Sequence, residues 1–104
     1  MISKVYSMLG ICAKSGRVVS GEFSTEKAVK EGKARLVIAA GDASANTRKA
    51  FTDMTTFYQV PFYIYGTKEE LGHAIGKEFR ASLAITDENL AKAVIGKLTS
   101  EKTE

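Results

Sequence analysis

The sequence predicts an α/β fold, a three-layer α/β/α sandwich built on a small central sheet. Two patterns lead there. Amphipathic helical segments alternate with short apolar runs along almost the whole chain, as expected when helices cover both faces of a sheet. The run Leu36-Val37-Ile38-Ala39-Ala40 is continuous rather than alternating, the mark of a strand covered on both sides. Neither pattern sets the strand order.

Taken in order, Ile2, Val5, Met8, Leu9 and Cys12 recur at spacings of three and four. They predict an amphipathic helix over residues 2–14, with Ser3 as its cap and Gly16 as its stop. Arg17-Val18-Val19 reads as a short strand before Gly21. A helix then runs to about Glu31, where Gly32 ends it, and the apolar strand follows, bounded by Gly41-Asp42. Asp42 or Ser44 caps the longest helix, in which Thr47, Ala50, Phe51, Met54, Phe57 and Tyr58 form the inward stripe while Arg48, Lys49 and Asp53 face outward. Pro61 cannot continue that helix and begins a second buried strand, Phe62-Tyr63-Ile64-Tyr65, closed by Gly66. Thr67-Lys68-Glu69-Glu70 is a capping-box pattern opening a short helix to Ile75. Ser82-Leu83-Ala84-Ile85 is a further strand. Thr86-Asp87-Glu88 opens the last helix, with the Thr86 hydroxyl as cap and two carboxylates at the end the dipole favours. Its stripe is Leu90, Ala91, Val94, Ile95 and Leu98. One domain is expected over residues 1–98 and a polar, frayed tail over 99–104.

Composition narrows the function. The chain has 104 residues, 44% apolar and 26% charged, with nine Gly and a single Pro, as in one soluble globular domain. No segment is long and apolar enough to span a bilayer, and Met-Ile-Ser-Lys-Val-Tyr lacks a signal peptide's apolar block, so a cytoplasmic location is expected. Cys12 is the only cysteine and His73 the only histidine, which excludes an intramolecular disulfide and an ordinary Cys/His zinc site. Cys12 sits in an apolar helical pattern and is expected to be buried. His73 is expected at the surface, with no orienting partner to make it a base. Asp42, Asp53, Asp87 and Glu88 read as caps and surface charges, so no catalytic constellation is predicted.

The net charge of +3 and pI near 9.0 are mildly basic, which suits a focused patch better than indiscriminate polyanion binding. From Lys14 to Arg35 lie six basic residues against three acidic ones, an excess equal to that of the whole chain. On a helix at about 100° per residue, Ser24, Lys27 and Glu31 share one side with Lys30 beside them, while Thr25, Ala28, Val29 and Gly32 share the other. The first side is either a solvated face or a surface for a phosphate or base edge. Gly21 permits close backbone approach at the helix start, where unpaired N–H groups and the dipole favour an anion, and Lys27 adds a point charge one turn further in.

Gly21, Lys27 and Lys30-Glu31-Gly32-Lys33-Ala34-Arg35-Leu36-Val37-Ile38-Ala39-Ala40 resemble the ribosomal seven-Ae/thirty-e kink-turn RNA-binding family. Tyr65-Gly66-Thr67-Lys68-Glu69-Glu70-Leu71-Gly72 and Phe79-Arg80-Ala81-Ser82-Leu83-Ala84-Ile85 resemble later blocks of it. With Met8-Leu9-Gly10-Ile11-Cys12-Ala13-Lys14-Ser15-Gly16, the resemblance covers nearly the entire chain and is strongest to bacterial YlxQ-type members. It implies a mixed central sheet, no catalysis, no cofactor or metal, and a monomer that binds structured RNA with a sharp internal bend, such as rRNA, at or near the ribosome. The RNA-contacting residues it implies are Arg17, Gly21, Phe23, Ser24, Lys27, Lys30, Phe79, Arg80 and Ala81. Tight binders in the family read Gly-Thr-Asn-Glu where this chain reads Gly21-Glu22-Phe23-Ser24, so affinity or target is expected to differ. Two roles are open to Phe23, stapling the helix entry to the core or stacking on a base. A second reading of the whole chain is a protein-interaction module for ribosomal or translation proteins, using Phe23, Phe79 and the outer helix surfaces after loss of tight RNA binding.

Overall fold

Ser3 opens the first helix. In a computed structural model, which describes residues 3–102, its hydroxyl accepts from the N–H groups of Val5 and Tyr6 at 3.2 and 3.4 Å, capping α1 (Lys4–Lys14). The predicted role of Ile2 lies outside the described residues. The chain continues through β1 (Val18–Ser20), α2 (Glu22–Lys30), β2 (Leu36–Ala39), α3 (Ala45–Tyr58), β3 (Phe62–Ile64), α4 (Lys68–Ala74), β4 (Ser82–Ile85) and α5 (Glu88–Lys102).

The sheet has the order β1-β4-β2-β3 and is mixed. β2 and β3 are parallel because a whole helix, α3, separates them and carries the chain back to the same edge. β4 runs antiparallel to both β1 and β2. Successive strand residues point to opposite faces. Leu36, Ile38, Leu83 and Ile85 pack against Val5, Leu9 and Cys12 of α1, Leu71 of α4, and Val94 and Leu98 of α5. Val37 and Ala84 face the other way, onto Ala28 and Val29 of α2 and Phe51 of α3. The layers are therefore α1/α4/α5, sheet, and α2/α3, the predicted sandwich. Full burial of β2 and β4 explains why β2 reads as an unbroken apolar run and β4 as one after Ser82. Cys12 is buried as expected, and burial pushes its thiol pKa up; His73 is exposed.

The capping box forms as predicted. The Thr67 hydroxyl accepts from the Glu70 N–H at 3.1 Å, and Glu70 Oε1 accepts from the Thr67 N–H at 3.2 Å and from the Tyr6 hydroxyl at 2.7 Å. The last bond ties α1 to α4. Thr67→Ala is expected to lower stability by about 1 kcal/mol, read as a shift of the urea midpoint at constant slope.

Four local expectations are corrected. In α3 only Phe51 and Thr55 are buried, while Ala50 is exposed and Phe57 and Tyr58 are 78% and 41% exposed. One helix over the edge of a small sheet has room for one narrow stripe. Thr55 enters it because its hydroxyl donates to the Phe51 carbonyl at 2.6 Å, which satisfies the polar atom. β3 is an edge strand, with Ile64 46% exposed, rather than a buried one. Asp87, not Thr86, caps α5: its carboxylate accepts from the Leu90 N–H at 2.9 Å, while the Thr86 hydroxyl donates to the Arg17 carbonyl. Finally, the polar residues from Thr99 continue α5 to Lys102 instead of leaving it as a tail. Between Asp42 and Ser44, Ser44 is the α3 cap, and Asp42 accepts from the Lys68 N–H at 2.8 Å.

Candidate nucleic-acid interface

Because β1 and β4 are antiparallel, the residues that follow β1 meet those that precede β4. Gly21, the residue before α2, has φ 93° and ψ 156°, a conformation that L side chains rarely adopt. Its N–H donates to the Ser82 carbonyl at 2.9 Å. One residue earlier, the Ser20 hydroxyl accepts from Arg80 Nε at 3.0 Å, and Arg80 Nη1 donates to the Phe79 carbonyl at 2.7 Å. Behind them the buried Ser82 hydroxyl donates to Thr25 Oγ1 at 3.4 Å. A clasp some 60 residues apart in sequence thus joins the start of α2 to the loop after Gly76. Gly21, Phe79, Arg80 and Ala81 share one end of the sheet.

At that end the N–H groups of Glu22, Phe23 and Ser24 have no preceding helical turn to donate to, and Gly21 supplies no side-chain cap. The helix dipole adds a partial positive charge there. Ser24 and Lys27 are exposed. Lys27 makes no ion pair among the described residues, whereas Lys30 is held by Glu26 at 2.7 Å. The exposed Glu22 balances part of the positive charge. Phe79 is 64% exposed, while Ala81 is half-buried and packs on the larger core cluster.

Phe23 corrects one expectation: at 79% exposure its ring does not staple the helix entry to the core. Around the helix it points nearly opposite to the buried Thr25, Ala28 and Val29. Two predicted site residues lie away from this end of the sheet. Arg17 is at the far end of β1, where its carbonyl accepts from the Thr86 N–H at 2.9 Å, about 13 Å along the strand from Gly21. Lys30 lies on the last turn of α2, about 12 Å along the axis from Glu22, and its hydrogen bond to Glu26 raises its pKa above the usual lysine value. The sequence placed both among basic neighbours but carried no information on which end of the strand or helix faces the loop.

No sequence pattern marks Ser20, Thr25 and Ser82 as parts of a site, because single hydroxyls carry no periodic signal; only the antiparallel register brings them together. No group of three His, Cys, Asp or Glu side chains among the described residues is placed to hold a metal. No helix among them is long and apolar enough to cross a membrane.

Sandwich, uncapped helix start and arginine-bearing loop define a class: a small fold that presents a donor-rich face to a ligand. The chain belongs to the Ribosomal protein L7Ae/L30e/S12e/Gadd45 family, which matches residues 3–95. It is 38% identical over 93 residues to the RNA-binding protein YlxQ of Bacillus subtilis, covering 89% of this chain and 93% of that one. It is 40% identical over 85 residues to the large ribosomal subunit protein eL30 of Neurospora crassa, covering 76% and 74% respectively. A solved structure of a protein with unknown function from Bacillus halodurans superposes with a TM-score of 0.91 at 32% identity, over 94% of this chain and 99% of that one. The Giardia lamblia 15.5kD RNA binding protein shares the fold at TM-score 0.80 and 24% identity, over 92% and 85%. The family description and the names of the YlxQ and eL30 relatives are those of ribosomal and RNA-binding proteins, and this chain is not an enzyme.

Proposed function

We propose that this protein is a non-catalytic, monomeric, cytoplasmic RNA-binding module that recognises structured RNA with a kink-turn-type bend, in rRNA or another ribosome-associated RNA. The observation that carries the reading is the clasp: Gly21 bonded to Ser82 and Arg80 to Ser20 at 2.9 and 3.0 Å put helix donors and loop on one face. In a regular A-form duplex the major groove is too deep and narrow for side chains, but a kink opens it and exposes guanine O6 and N7 to a donor such as Lys27. The bend also crowds phosphates. The first-turn N–H groups of α2 and the Arg80 guanidinium offset that repulsion, and Phe79 with Ala81 covers an extruded nucleotide.

The test is titration of a kink-turn RNA against a straight duplex of equal length. The kink-turn is expected to bind more tightly. Lys27→Ala is expected to weaken it by about 1–3 kcal/mol, and Arg80→Ala to reduce the magnitude of the salt slope by about one. Equal affinity for both RNAs, unchanged by either substitution, would refute the proposal. A protein-interaction role is favoured by one observation, the negative charge of exposed Glu22 beside the phosphate path. Salt separates the two, since counterion release makes RNA capture fall steeply with ionic strength while an apolar protein interface resists it.

A further inference from the structure

The outer face of α2 carries a feature that the helix start alone does not explain. The exposed Phe23 ring has no aromatic partner among the described residues, whereas Phe57 leans edge-to-face on Tyr58 with ring centroids 4.9 Å apart. It borders a shallow depression of about 280 Å³ lined by Phe23, Glu26, Lys27, Lys30 and Glu31. The two acids there are engaged. Glu26 pairs with Lys30 at 2.7 Å and Glu31 with Lys33 at 3.3 Å, which leaves Lys27, one helical turn from Phe23, as the cation without an acidic partner among the described residues. An open aromatic face beside an unpaired ammonium matches the two ends of a nucleotide, a planar base and its phosphate.

We infer that Phe23 and Lys27 hold one unstacked nucleotide of the bound RNA, the ring against the base and the ammonium against the phosphate. This deepens the RNA-binding reading and rests on it. The Lys27 ammonium has three donors, so one contact to a guanine edge leaves others for the phosphate. A phenyl ring offers no hydrogen bond and every base has a π face, so recognition at this position is blind to base identity. An asparagine at the same place would read a base edge instead. Phe23 thus makes this position a reader of shape rather than of sequence.

The experiment uses kink-turn RNAs with 2-aminopurine placed in turn at each unpaired loop position. They are titrated with the wild type, Phe23→Ala, Phe23→Leu, Phe23→Trp and Lys27→Ala. The wild type and Phe23→Trp are expected to quench the fluorophore at one position. Phe23→Ala and Phe23→Leu should lose that quenching and bind from about fivefold to about 150-fold more weakly, the range for loss of one stacked base. Exchanging the natural base at that position should change affinity by less than about threefold. Wild-type affinity and quenching in Phe23→Ala, with Lys27→Ala still weakened, would overturn the stacking inference and leave RNA binding standing. Unchanged RNA binding together with loss of a co-purifying ribosomal protein would make Phe23 a protein contact and also overturn it. If no variant matters and a straight duplex binds equally, both readings fall. The exposed ring makes misfolding an unsuitable explanation, and equal urea midpoints across the series would verify that.

Discussion

Gly72→Ala is expected to destabilise the fold by about 3 kcal/mol or more, a drop in Tm of at least about 12 °C, and to release the loop carrying Phe79 and Arg80. Gly72 is buried in α4. A β-carbon added there would overlap the Glu78 carbonyl oxygen and stand 3.1 Å from the Phe79 nitrogen. These are backbone atoms, so no rotamer change relieves the clash. The segment cannot step back cheaply either. The Gly72 carbonyl accepts from the Lys77 N–H at 2.8 Å, and the Arg80 N–H donates to the Lys68 carbonyl at 3.0 Å, so both ends of the loop are bonded to α4. Moving the loop gives up these bonds and the Arg80–Ser20 contact with them. RNA affinity should therefore fall along with stability. Gly76→Ala is the contrasting case: nothing lies within 4 Å of the added carbon, and only the positive φ of 77° is strained, at about 1–2 kcal/mol. Thermal melts of the two variants side by side check the ranking, and a Gly72→Ala melt within 2–3 °C of wild type, well short of the expected drop, would contradict it.

The parts of this fold that a sequence reveals are those with a local cause. Ser3, Ser44 and Thr67 announce helix starts because a hydroxyl meets an N–H two or three residues on. Leu36 to Ala39 and Ser82 to Ile85 announce buried strands because both faces are covered. What fails to show has a distant cause. Thr86 and Asp87 are both competent caps, and the choice falls to Asp87 because the Arg17 carbonyl, 69 residues away, takes the Thr86 hydroxyl. The candidate site follows the same division. Gly21 and Lys27 could be found from their neighbours and, with Phe79 and Arg80, through the family resemblance. Ser20, which holds Arg80, and the separation of Arg17 and Lys30 from the loop required the antiparallel register of β1 and β4.

Phe51→Ala is expected to cost about 3–5 kcal/mol, lowering the urea midpoint by at least about 1 M with the slope unchanged. Phe51 is 1% exposed, in a cluster whose other buried members are small: Ala28, Val29, Ala34, Val37 and Ala84. None of these buried side chains can expand to fill the space, so a cavity is expected, bordered by the partly buried Met54 and Phe62. Phe57→Ala, on the same helix and in the same predicted stripe, should stay within about 0.5 kcal/mol of wild type. Spacing alone could not rank the two; burial does. The substitution also separates seating from contact at the interface. α2 rests on this cluster through Ala28 and Val29, so Phe51→Ala should weaken RNA binding mainly as its own unfolding approaches. Lys27→Ala should weaken it at every temperature while leaving the urea midpoint in place. If Phe51→Ala instead lowered affinity as strongly as Lys27→Ala under conditions where it is fully folded, the position of α2 itself would be part of the recognition. The face would then have to be treated as adjustable rather than preset.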